Sequence, residues 1–353
     1  MIRARPTVEA LERYVAPLEG RRGMLRLDFN ENTVGPSPRV LAAIRALPAE
    51  AYATYPEYAG LLQAFGEHVG LPMENVAVFN GADAAIRAVF DAFGEPGTVF
   101  LTTRPTFGYY RPCAEIAGMT ITSVPYEADL SFPWAAFEAA LAAHPRICFI
   151  CNPNNPTSTL IAPARILALA AANEETLFVV DEIYEAFTDQ TVLPEAAARP
   201  NLLSLRSVSK SMGLAALRLG FVCGAARLVE RVFRVTGPYD INAFAVVAAL
   251  AGLADNEHTE AYVAEVAAAK AWTLSELNRL RLRHFSQGGN YLLVWPGTDV
   301  AEVEAALRAR GILVRSMAGK PLIDGSFRLS IGTREQMRRF FEALEEILAG
   351  ASR

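Results

Sequence analysis

Between Val76 and Cys223 the chain alternates short apolar runs, rich in β-branched and aromatic residues, with stretches of helical periodicity. The runs are VAVF, TVFLTT, MTITSV, RICFIC, TLFVVD, NLLSLRSVS and RLGFVCG; helices are expected from Ala82, after Pro105, from Pro133 and from Pro163. Runs that are apolar almost throughout suit strands covered on both faces. Their alternation with helices predicts an α/β unit around a mostly parallel sheet. Binding residues in such sheets collect where strands end. After Gly224 the pattern turns helical, with a long helix near Glu257–Arg283, then NYLLVWP, a helix from Val300, GILVRS, SFRLSIG and a helix from Arg334. This second region predicts a smaller α+β unit. The expected division is an N-terminal arm and part of the small domain at 1–50, a large domain at 51–240 and a small C-terminal domain at 241–353. No repeat, low-complexity tract or G-x-G-x-x-G fingerprint is present, so a dinucleotide site has no support.

Composition acts mainly by exclusion. The 353 residues are 52% hydrophobic and 20% charged, enough for two domains and too apolar for disorder. A net charge of −5 leaves no basic footprint, and nucleic acid is not an expected partner. The longest uncharged stretch, Ile241–Ala254, is shorter than the ~20 residues that span a bilayer and reads as a buried helix. Arg3, Arg5, Glu9, Glu12 and Arg13 interrupt the start of the chain, so a cytoplasmic protein without secretion signal or membrane anchor is expected. Cys148 and Cys151, three apart in a strand, face opposite sides and read as core rather than as a redox or metal pair. His68, His144, His258 and His284 show no metal-ligand spacing, and no metal is expected.

Charge becomes informative at the lysines. Among 33 basic residues only Lys210, Lys270 and Lys320 are lysine. Base bias accounts for the scarcity but not for the placement. Lys270 falls in a charged helix and Lys320 in a Gly-Lys-Pro turn, both ordinary solvated settings. Lys210 leaves a buried strand, a costly position for a lysine without a task. It is the candidate for Schiff-base chemistry. Nearby strand ends supply Asp181 and Tyr184 in LFVVDEIY and Asn155 in CNPNNPTS. Asp, Tyr, Asn and Lys together suit pyridoxal 5′-phosphate (PLP). The carboxylate of Asp181 can keep the pyridine nitrogen protonated, while Tyr184 and Asn155 can bond the ring's 3′ oxygen. Ser207, Ser209, Arg218 and the backbone amides of Ala82 and Asp83, at a helix start, can hold the phosphate. Each piece alone has an ordinary reading as a turn or a cap; the ordered combination is more specific.

The segments NPNNPT, DEIY and SVSKSMGLAALRLGF, in this order and spacing, resemble fold-type-I PLP-dependent aminotransferases, and in particular the histidinol-phosphate aminotransferase group. The resemblance runs from LDFNENTVGPSP through YATYPEY, NGADAAI and RPTFGYY to FRLSIGTRE. It implies a PLP-dependent transferase of fold type I, with a large domain whose mostly parallel sheet is flanked by helices, plus a smaller α+β domain. It further implies that Lys210 forms the Schiff base and moves the proton, with Asp181 at the pyridinium and Tyr184 and Asn155 at the 3′ oxygen. Tyr110 is implied to stack on the ring, leaving Phe107 and Tyr109 in the core. Tyr55 is implied to reach the cofactor phosphate of a partner subunit, hence a homodimer. Arg328 is implied to clamp the substrate carboxylate, and Arg315 and Tyr14 to favour a phosphorylated substrate. The implied reaction is amination of imidazole-acetol phosphate by glutamate, one amino acid and one keto acid at a time. Three alternatives stand beside it: an aminotransferase for aromatic or other amino acids, a decarboxylase resembling the threonine-phosphate enzyme, and a ligand-sensing domain of a transcription regulator. Ser158 replaces the glycine usual after NPNNPT. Thr33 and Val34 stand where Pro-Tyr is common, and Ala84 where an acidic residue is frequent.

Overall fold

A computed structural model of the chain describes residues 2–12 and 17–351. Among the described residues the strands are β1 (Leu25–Arg26), β2 (Val76–Asn80), β3 (Val99–Arg104), β4 (Thr120–Pro125), β5 (Ile147–Cys151), β6 (Leu177–Asp181), β7 (Leu202–Ser207), β8 (Leu219–Gly224), β9 (Arg283–Phe285), β10 (Tyr291–Trp295), β11 (Ile312–Leu313), β12 (Arg315–Ser316) and β13 (Phe327–Ser330). Seven of them form one sheet in the order β2-β8-β7-β6-β5-β3-β4, parallel except for β8, which runs antiparallel to both neighbours. All seven apolar runs read from the sequence are found in it.

Alternation along the strands builds two cores. Phe100, Phe149, Val179 and Leu203 point to one face, where they meet the helix Gly81–Phe93, while Leu101, Cys148, Phe178 and Leu202 point to the other. Each side chain of this size contributes about 1.5–3 kcal/mol on burial, which is why β5 is apolar throughout and β6 is apolar up to its last residue. Cys148 and Cys151 lie in opposite cores, buried and unbridged, as their spacing requires.

The second region forms a four-stranded antiparallel sheet in the order β12-β13-β10-β9, against which the helices Asn256–Arg279 and Arg334–Ala351 pack. β1 pairs in parallel with β11, and Leu25 and Leu27 share this core, so the N-terminal segment joins the small unit. The helix Ala243–Leu253 packs instead with Val78 and Phe221 of the large sheet and Val40 of the helix Pro38–Arg45. Sheet order reverses between β5 and β3, and the loops leaving these two strands meet there, with Thr106 Oγ1 donating to Asn154 Oδ1 at 2.7 Å. Such a reversal opens a crevice at the C-terminal strand ends. Because β8 is antiparallel, its first residue lies at that same edge, which brings the preceding Arg218 to the crevice.

Candidate active site

One end of the crevice is a helix start. β2 runs into the helix Gly81–Phe93 with Gly81 at φ +81°, and a Cβ on Gly81 would lie 2.5 Å from Arg218 Nη2. A Cβ on Gly220 would lie 2.5 Å from the amide nitrogen of Ala82. Two glycines thus let the helix start, the β8 backbone and a guanidinium close around a space suited to an anion. Arg218, itself at φ +56°, donates from Nη2 to Asp83 Oδ2 at 2.8 Å. Ser207 Oγ donates to the Leu219 carbonyl and accepts from the Ser209 amide, tying the turn after β7 to the start of β8.

At the centre, Asp181 ends β6 with 1% exposure. It accepts from Tyr110 Oη at 2.5 Å and from the Ile183 amide at 3.3 Å, and no cationic side chain pairs with it among the described residues. Burial pushes its carboxyl up to about 6, against the pull of the Tyr110 hydroxyl. Tyr110, expected to stack on the ring, sits beside this carboxylate. Its ring is 1% exposed, packed in the core on Phe149, with its hydroxyl committed to Asp181. The same ring borders the cavity formed with Thr106, Phe107 and Gly108. Phe107, expected in the core, is half-buried and lines a cavity with Thr106 and Gly108.

Lys210 donates from Nζ to the Phe29 carbonyl at 3.0 Å and lies 5.9 Å from the centre of the Tyr184 ring. Burial, then the charge of Arg328, push its amine down to about 8. Tyr184, 2% exposed, accepts from Asn155 Nδ2 at 3.3 Å and from Asn30 Nδ2 at 3.0 Å. Arg328, in the middle of the small sheet, donates to Asn155 Oδ1 and to the Asp28 carbonyl. Asp28, Phe29 and Asn30 thus present three consecutive residues to Arg328, Lys210 and Tyr184. None of the three was singled out in the sequence. The usable signal was the polar cluster NEN after an apolar LDF, with an asparagine suited to the φ of +56° that Asn30 adopts.

Arg315 and Arg328 are direct partners across β12 and β13. Arg315 has no carboxylate partner among the described residues. Lys320, in the turn joining these strands, is lowered by burial and then by the charges of Arg315 and Arg328, so it belongs to this cationic group. Lys270 is not an ordinary solvated lysine either: it donates to the Gly289 carbonyl at 3.0 Å, and burial pushes it down to about 8. Tyr55 lies apart, 70% exposed and stacked on Tyr239 at 4.2 Å. Tyr14 is outside the described residues. Ser158 occupies φ +65°, the left-handed region that explains the glycine usual at this place, and its hydroxyl accepts from the Gln287 amide at 2.8 Å.

These residues fit PLP. A buried carboxylate without a cation suits a pyridinium nitrogen, an amine held below its ordinary range suits an aldehyde, and the glycine-lined helix start with Arg218 suits a phosphate. No group of acidic, histidine and cysteine residues suited to a metal occurs among the described residues, nor is any helix there long and apolar enough to cross a membrane. The sequence profile of aminotransferase class I and II matches residues 22–344. The histidinol-phosphate aminotransferase of Symbiobacterium thermophilum is 35% identical over 361 residues, covering 99% of both chains. Among solved structures, histidinol-phosphate aminotransferase from Sinorhizobium meliloti in complex with pyridoxal-5′-phosphate matches with a TM-score of 0.89 at 24% identity over 99% of both chains. L-threonine-O-3-phosphate decarboxylase from Porphyromonas gingivalis matches with a TM-score of 0.82 at 24% identity, covering 92% of this chain and 100% of that one. Two reactions share this fold, so the choice between them rests on the site.

Proposed function

Because this chain belongs to the aminotransferase class I and II family and uses PLP, we propose that it is a histidinol-phosphate aminotransferase, moving an amino group from L-glutamate to imidazole-acetol phosphate to give 2-oxoglutarate and L-histidinol phosphate. The observation that carries the substrate reading is the register of Arg315 against Arg328. Like charges directly opposite on neighbouring strands destabilise a sheet. Their retention at the crevice is accounted for if anions bridge them. Two adjacent guanidiniums serve both halves of the exchange, holding the carboxylates of glutamate in one and a phosphate in the other.

When bound, PLP supplies an electron sink for negative charge at the substrate Cα. Asp181 holds the pyridine nitrogen in its charged form, and Tyr184 and Asn155 bond the 3′ oxygen. Arg218, Ser207, Ser209 and the amides of Ala82 and Asp83 hold the phosphate. Lys210 would hold the cofactor aldehyde through Nζ, an amine that burial keeps below its ordinary range, at about 8. The same Nζ would carry the proton from the substrate Cα and return it one position along. Tyr110 would stack on the ring, with Phe107 beside it on the same cavity. The exposed aromatics Tyr52, Tyr55 and Tyr239 favour a second copy of this chain as the cover for this surface, with Tyr55 reaching the neighbouring site. The small unit comprises 25–29 and 254–351, and the protein works in the cytoplasm.

A half-reaction screen tests the substrate. With L-glutamate and with L-histidinol phosphate the visible band of the PLP-loaded protein should bleach, without release of carbon dioxide. Bleaching by phenylalanine but not by histidinol phosphate, or carbon dioxide from a phosphorylated amino acid, would overturn it.

A further inference from the structure

Asn30 lies at a junction that the cofactor assignments leave out. It is fully buried, at φ +56°, with its polar groups engaged by Ser330, Asn290 and Tyr184. Its amide nitrogen donates to Ser330 Oγ at 2.8 Å, and its carbonyl accepts from Asn290 Nδ2 at 3.1 Å. Ser330 Oγ, already accepting from that amide, donates its proton to Asn30 Oδ1 at 2.9 Å. In this arrangement Oδ1 takes the one proton that Ser330 has to give, and Nδ2 faces Tyr184, at 3.0 Å from its hydroxyl. Asn155 is fixed by its own partner. Arg328 can only donate, so Asn155 Oδ1 must face it, and Nδ2 faces Tyr184 at 3.3 Å.

A tyrosine oxygen has two acceptor positions and one proton. With both acceptor positions taken by amides that cannot accept in return, the proton of Tyr184 has neither asparagine as a destination. We infer that Asn30 is a positioning residue: locked by Ser330, it keeps the Tyr184 hydroxyl a donor toward the cofactor. Even if Asn155 turns to the cofactor itself, Asn30 still offers Tyr184 a donor and no acceptor. The inference rests on the reading that Tyr184 faces the 3′ oxygen of PLP. Its consequence is electrostatic. A donor at that oxygen stabilises its negative charge. That charge is least compensated when the Lys210 nitrogen, joined to the cofactor, has lost its proton, so the donor holds the titration of that nitrogen down. The other ionisable groups facing Tyr184 are Lys210, Arg328, Asp181, Cys151 and Tyr291.

The test is the pH midpoint of the visible absorption of the PLP-loaded protein. Asn30→Asp places an acceptor against Tyr184 and draws its proton away. The midpoint should rise by about one pH unit, the size expected when one hydrogen bond to a charged oxygen is lost. Tyr184→Phe should give a similar rise, and the double variant no further one. A further rise in the double variant would mean that the added charge acts by itself, and would overturn the inference. Ser330→Ala frees the Asn30 amide to turn without adding charge, and should raise the midpoint by a smaller amount; it also decides the matter if Asn30→Asp does not fold. Unchanged midpoints in Asn30→Asp and Ser330→Ala, with lowered melting temperatures, would reduce Asn30 to a structural tie. If Tyr184→Phe itself leaves the midpoint unmoved, the reading of Tyr184 fails, and the inference with it.

Discussion

Asp181 and Glu182 are neighbours at the end of β6, both carboxylates and both buried, and burial pushes both upward. Their surroundings differ in kind. Glu182 accepts from Ser204 Oγ at 2.6 Å, the Val192 amide at 2.8 Å and Thr191 Oγ1 at 2.9 Å, and Arg206 lies 3.5 Å away. Arg206 bonds in turn to Glu185 at 2.7 Å. This network closes on itself, so the charge of Glu182 is balanced within the fold. Asp181 has one hydroxyl and one amide and no cation among the described residues. On the proposed function, its balance comes from the bound cofactor. Of two carboxylates equally deep in the protein, the incompletely matched one is the functional one, because a charge satisfied by the fold has nothing left to offer a ligand.

The largest expected effect separates the two on function. Asp181→Asn removes the partner of the pyridinium, and turnover should fall by about a thousandfold, as when a preorganised electrostatic group is lost. Stability should move the other way. A carboxyl raised to about 6 binds its proton more tightly in the folded than in the unfolded chain. The stability this contributes is present below the ordinary carboxyl range near 4 and is lost as pH rises through 6. The amide that replaces the carboxyl in Asp181→Asn does not titrate, so the PLP-free variant escapes that loss. At pH 7.5 it should be more stable than the PLP-free wild type by on the order of 2 kcal/mol, with the difference vanishing near pH 4. Urea denaturation of both PLP-free proteins at the two pH values measures it. A variant less stable at pH 7.5 would mean that Asp181 is already balanced inside the fold.

Glu182→Gln reverses the pattern. It strips the buried Arg206 of one of its two carboxylates, and breaking such a pair costs about 3 kcal/mol. Denaturation should show that loss, while the folded fraction keeps its affinity for PLP. A stable Glu182→Gln protein that no longer binds PLP would erase the distinction between the two carboxylates.

The sequence displayed much of this in advance and missed the rest for identifiable reasons. The inner strands of the large sheet were legible because both their faces are covered, which leaves long apolar runs, while the half-exposed edge strand β4 was marked by its β-branched residues. β1, β9, β11 and β12 have two or three residues each, too short for a period to register, although β11 and β12 fell within a run that was marked. Lys210, Asp181 and Asn155 stood out because each follows an apolar run. The segment TFGYY holds three aromatics, and only packing decides which ring is enclosed. Asn30 stayed hidden because its importance lies in partners 154 and 300 residues away in sequence. Ser158 was marked as a departure, but its left-handed backbone and its tie to Gln287 depend on the small unit folding back over NPNNPT. The helix read at Ile241–Ala254 is present as Ala243–Leu253, but the unit it belongs to was out of reach: it is apolar on most sides, and nothing in it says which core it joins.

The finest test of the contrast concerns the one hydroxyl that Asp181 has. Tyr110→Phe keeps the ring that packs on Phe149 and removes only the donor at 2.5 Å. That donor holds Asp181 down against burial, so without it the carboxyl rises further and takes up its proton at higher pH. PLP requires the ionised form there. Its affinity should therefore weaken by about tenfold, the size expected for one bond to a charged group. The loss should be greater at pH 6 than at pH 8, because the variant enters its protonated range first. Dissociation constants from fluorescence titration of the PLP-free proteins at both pH values, each compared with wild type at the same pH, cancel the separate titration of Lys210. A loss of equal size at both values would show that the hydroxyl orients Asp181 without governing its charge. No loss at either would place the whole control of Asp181 in its burial, and the difference from Glu182 would then reduce to the presence or absence of Arg206.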